Sequence, residues 1–150
     1  MKRTPSLIMA ILLIGGIITG IVGLLSFSIK LAILYALLTI VSLVLIIFSY
    51  CGKCTCRLEG CSCIFPGKFT RYLPARKQMK YSRLDIIGVM LGFSVITLFP
   101  QYWLFQNKTM LVLFWILLFL AHLQIRLFVC RSCENLNCPV LPGKQQNIIR

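Results

Sequence analysis

Eight cysteines crowd into two short stretches of this sequence. The first reads Cys51-x2-Cys54-x-Cys56-x4-Cys61-x-Cys63, the second Cys130-x2-Cys133-x4-Cys138-Pro139. A Cys-x-x-Cys pair places two thiolates on one metal, because the turn between them aims both sulfurs inward. Backbone amides in that turn hydrogen-bond the sulfurs and offset their charge. Lys53, Arg57 and Arg131 stand beside these thiols and would favour the thiolate form. Metal binding is therefore the chemistry expected of Cys51, Cys54, Cys56, Cys61, Cys63, Cys130, Cys133 and Cys138. Two sets of four thiolates would suit two [4Fe–4S] clusters or two zinc ions, one first-stretch cysteine completing the second set. A single site of Cys51, Cys54, Cys130 and Cys133 is the other arrangement.

What these thiols do depends on the compartment that holds them, and the surrounding elements decide that. Of 150 residues, 59% are apolar and 13% charged. Soluble domains average about 45–50% and about 25%. The apolar residues gather into four runs: 7–25, 31–50, 84–103 and 110–129. Each approaches the roughly 20 residues that a helix needs to cross a bilayer. The third is apolar only to Phe99 and needs Gln101-Tyr102-Trp103 to finish the crossing; Pro100 should bend or end it. Backbone in lipid must satisfy its own hydrogen bonds, so such apolar spans must be helices. The expected fold is an all-α integral membrane protein of four transmembrane helices, a single membrane domain over 1–150. The first run is too long for a cleaved signal peptide, and no Ala-x-Ala-like site follows it.

Charge sets the direction. Lys2 and Arg3 precede span one, eight basic residues lie between spans two and three, and Arg131, Lys144 and Arg150 follow span four. Only Lys30 and Lys108 lie in the other two loops. The positive-inside rule then makes both termini and the central loop cytoplasmic, in a cell (inner or plasma) membrane. The formal charge of +13 flanks apolar runs rather than forming one soluble basic face. It speaks for lipid head groups as partners and against nucleic acid. Every cysteine falls on the reducing side, which turns the expectation from disulfides to metal or catalysis. Asn107-Lys108-Thr109 is a glycosylation sequon in form, but it lies too close to the membrane to be read as one.

The chain repeats itself. Cys51 and Cys54 precede Cys130 and Cys133 by 79 residues each, and Pro66-Gly67-Lys68 answers Pro142-Gly143-Lys144. Two parallel repeats are expected, 1–75 and 84–150, joined by a basic linker over 68–83. Each is a helical hairpin followed by a Cys-rich cytoplasmic segment. Gly16-x-x-x-Gly20 in span one and Gly88-x-x-x-Gly92 in span three would let those spans meet at the pseudo-axis.

Three ionisable residues lie in or against the spans. His122 is about 12 Å along the helix from Cys130. At that depth it would bind a quinone head, pass a proton or simply pack by a hydrogen bond. Arg126 would snorkel to the interface or pair with Asp85, which opens span three on the same side. Tyr102, Trp103 and Trp115 read as an aromatic belt. The basic stretch from Lys68 to Arg83 would lie on the lipid surface or receive an acidic carrier.

The leading expectation is iron–sulfur electron transfer, in a membrane redox complex or with a cytoplasmic electron carrier. Structural zinc in a scaffold or assembly protein is the second. Cys133-x4-Cys138-Pro139 resembles the closing Cys-Pro of bacterial ferredoxin motifs but departs from their full spacing. Cys-x-x-Cys on four helices is similar to the vitamin K epoxide reductase family and would imply thiol–disulfide oxidoreduction. The active pair of that family faces the oxidising side, however, and this one does not. S-palmitoylation would account for the juxtamembrane position of Cys51 and Cys54, not for the repeated spacing. No phosphate loop, serine triad or carboxylate pair is present to carry hydrolase or kinase chemistry.

Overall fold

The computed structural model describes residues 4–53 and 81–129. Every regular element among them is helical. They comprise α1 (Thr4–Leu25), α2 (Ile29–Tyr50), a 3-10 turn (Cys51–Lys53), α3 (Arg83–Leu98), α4 (Gln101–Leu104), α5 (Lys108–Gln124) and a π-helical turn (Ile125–Val129). Four stretches are long and apolar enough to cross a membrane: Ser6–Leu25, Ile29–Lys53, Arg83–Leu104 and Lys108–Phe128. Large apolar side chains such as Leu7, Ile40, Leu84 and Phe119 face outward along them. Such a surface fits a protein solvated by acyl chains.

Local chemistry explains the helix starts. Ser82 and Asp85 form a reciprocal capping box at the head of α3, which satisfies two amides that have no partner within the helix. Asn107 caps α5, its side-chain oxygen accepting from the Met110 amide at 3.3 Å. The asparagine of the apparent sequon is thus a helix cap.

Pro100 interrupts the third span as expected. It has no N–H to offer the carbonyl four residues back, that of Ile96. The Tyr35 hydroxyl donates to that carbonyl from α2 at 3.0 Å. One residue on, the Gln101 side-chain amide donates to the Thr97 carbonyl at 2.9 Å. Its oxygen accepts from the Trp115 indole at 3.1 Å. The chain then resumes as α4, with side chains of α2 and of the span itself bridging the break. Tyr35 is fully buried and stacks on Phe99, their ring centres 5.8 Å apart.

The most extensive packing runs between the two hairpins: α1 lies along α5, and α2 along α3. The expected meeting of glycine-bearing spans one and three is confined to one end, where Gly23 of α1 faces Leu104 of α4. Gly15 and Gly16 face Leu117 and Leu118 of α5, while Gly88 and Gly92 face Ser49, Ile46 and Ser42 of α2. A Cβ at Gly92 would stand 3.1 Å from the Ser42 carbonyl oxygen, so the α2 and α3 backbones approach closely there.

The element boundaries have a period. Leu25 and Leu104, and Ile29 and Lys108, stand 79 residues apart, as Cys51 and Cys130 do. The caps Ser28 and Asn107 do too. Tyr35, Thr39 and Ser42 are buried on α2, and the residues 79 positions on are Phe114, Leu118 and Ala121, the buried residues of α5. The same geometry therefore carries hydroxyls in one half and hydrocarbon in the other.

Candidate functional site

Helix α2 runs directly into the first cysteine motif. The Cys51 amide donates to the Ile47 carbonyl, and the chain then tightens into a 3-10 turn. Cys51 is half-buried and Gly52 buried. Lys53, inside the Cys51-x-x-Cys54 motif, puts its ammonium on Asp85 Oδ2. The two side chains are only 11% and 5% exposed. The same carboxylate oxygen accepts from the Ser82 amide and the Ser82 hydroxyl, each at 2.8 Å. Three donors thus converge on one oxygen and lock the turn to the head of α3.

A second contact lies beside the first. The Tyr81 hydroxyl donates to the Tyr50 carbonyl at 3.2 Å, and the two rings touch, their centres 5.2 Å apart. Together the two contacts clasp residues 50–53 to residues 81–85. The chain between them carries Cys54, Cys56, Cys61 and Cys63. The ends of that stretch are therefore held together by the fold before any ligand is considered.

Two expectations need correction. Lys53 was expected to favour a neighbouring thiolate, but its charge is neutralised by Asp85. Of the two places expected for Arg126, at the interface or on Asp85, the pairing with Asp85 is not formed, because the two belong to different helix pairs. Asp85 sits on α3 against α2, whereas the π-turn that carries Arg126 packs on α1 and α5. Arg126 is exposed, as is His122, which points away from the bundle interior. The aromatic belt is partly as expected: Tyr102 and Trp115 are exposed, but Trp103 packs against the Leu24, Ala32 and Tyr35 core.

Cys51 is the cysteine that lies within the described residues; Cys54, Cys56, Cys61, Cys63, Cys130, Cys133 and Cys138 lie outside them, as do the linker residues 68–80. Among the described residues no three metal-binding side chains cluster. Helices α2 and α5, which lead into the two cysteine stretches, do not pack along one another. A shared site would have to be closed beyond the helix ends.

The capping box was legible as Ser82-x-x-Asp85 before an apolar run, but its coupling to Lys53 was missed. The π-turn at Ile125–Val129 was missed as well; π-turns are rare and concentrate at functional sites. Comparison with known families, curated proteins and solved structures finds no match.

Proposed function

We propose that the chain is a multi-pass membrane protein that binds metal through cysteine stretches on the cytoplasmic face. Iron–sulfur clusters are the form we favour, passing electrons between a cytoplasmic carrier and a membrane partner. The observation that carries this reading is the coincidence of two periods. The Cys-x-x-Cys motifs recur at the same spacing as the helix boundaries and buried positions before them. We read this as a duplicated hairpin that delivers a cysteine stretch from each half to the same end of the bundle. Spacing kept this closely suits a geometric demand such as metal ligation, and palmitoylation makes no such demand.

The clasp adds a physical argument. Binding a metal with cysteines far apart in a chain costs loop-closure entropy. Joining residues 50–53 to 81–85 lowers that cost for Cys54 to Cys63.

The test is anaerobic purification of the full chain with iron, acid-labile sulfide and zinc quantified together. Iron and sulfide in equal amounts, falling in Cys51→Ser and Cys130→Ser, are expected. A preparation that holds neither iron nor sulfide would sink the reading. Zinc at fixed stoichiometry in a colourless protein would replace it with a structural-zinc scaffold.

A further inference from the structure

We propose that the outward face of α5 and its π-turn holds the phosphate of an anionic phospholipid, bound by Arg126 with His122 one turn deeper. The proposal rests on the membrane placement and orientation given above, and not on the metal.

Trp115, Phe119, His122 and Arg126 follow one another at intervals of four, three and four residues, so they share one helix face. All four are exposed. On a helix solvated by acyl chains, that face meets lipid. Aromatic side chains against acyl chains are unremarkable, but an imidazole and a guanidinium are not. Ionisable groups in a span normally turn inward or find a partner. Among the described residues neither His122 nor Arg126 makes a hydrogen bond or ion pair. Asp85, the acid at this end of the spans, is held by Lys53. The missing counter-charge must come from outside the helices.

Depth selects the source. Arg126 lies three residues before Val129, where the fourth apolar run gives way to Cys130-Arg131, about 5 Å along the axis, at head-group level. His122 lies seven residues in, about 10 Å. A lipid presents its groups in that order: phosphate first, glycerol esters below, acyl chains beyond. Arg126 would take the phosphate with two parallel N–H donors. The His122 ring N–H would donate to a phosphate or ester oxygen beneath it. Phe119 and Trp115 would flank the acyl chain. The π-turn begins at Ile125, between the two polar residues. A second copy of the chain is a poor occupant, because parallel twofold pairing through this face would set Arg126 against Arg126.

The full chain is reconstituted in nanodiscs of phosphatidylcholine and phosphatidylglycerol and released for native mass spectrometry. The wild type is expected to retain phosphatidylglycerol over phosphatidylcholine. Arg126→Gln should lower that retention about tenfold, the loss of a charge-assisted pair. His122→Leu should lower it less. Arg126→Lys, which keeps the charge without the fork, should fall between wild type and Arg126→Gln. Lys30→Gln, at the opposite end, should leave it unchanged. Equal retention of both lipids, full retention in an Arg126→Gln, His122→Leu double variant, an equal loss in Lys30→Gln, or dimers in place of lipid-bound monomers would each overturn the proposal. Metal content of the same samples reports separately on the metal reading.

Discussion

Asp85 Oδ2 receives three donors, and one of them carries a full charge. Removing the charge of Asp85 leaves Lys53 as an ammonium in a nearly closed site. Breaking one side of a buried pair costs about 3–5 kcal/mol, while removing both sides costs far less. Asp85→Asn keeps an acceptor for the Ser82 cap but strands Lys53, so it should lower stability by an amount near the bottom of that range. Adding Lys53→Met should restore most of the loss. Unfolding midpoints in a fixed detergent mixture measure both. Additive losses in the double variant would show that the two residues do not act as a pair. The choice of Lys53 over Arg126 was not legible in the sequence. Both cations lie on the expected side of the membrane, and only the helix pairing separates them.

At the scale of the element, the third span shows how a broken helix survives in lipid. Its length, its break at Pro100 and its capping box could all be read from residue types. Its repair could not, because Tyr35 and Ile96 are far apart in sequence and meet only when α2 lies on α3. Tyr35→Phe leaves the Ile96 carbonyl without its donor in a dry interior. An unmet buried acceptor costs about 1–3 kcal/mol. Pro100→Ala supplies a backbone N–H at the position where that carbonyl lacks one. The cost of Tyr35→Phe should therefore shrink well below about 1 kcal/mol in a Pro100→Ala background. Thermal unfolding of the four variants closes the cycle; an unchanged cost would detach Tyr35 from the proline. The glycine faces were illegible for a related reason. A glycine face shows that something packs closely there, but not which helix supplies it.

At the scale of the molecule, the four apolar runs were read to within a few residues, because transfer into lipid depends on composition more than on contacts. The order of the helices around the bundle was not: the face of α2 with Tyr35, Thr39, Ser42 and Ser49 is marked as inward by its hydroxyls, but nothing in it names the helix that covers it. What the structure adds is that each hairpin lies chiefly against the other one. A chain cut between residues 54 and 80 and expressed as two pieces should therefore reassemble, and co-purification of a tagged first piece with the second would measure it. Recovery of the tagged piece alone would contradict the packing. Taken with the duplication proposed above, the cross-packing carries a historical consequence. A single ancestral hairpin built this way would have found its partner in a second identical chain, as a symmetric homodimer with two equal seams. Fusion into one chain would release those seams from equality. One could then accumulate Thr39, Ser42, Ser49 and a buried ion pair while the other kept Leu117, Leu118 and Phe114.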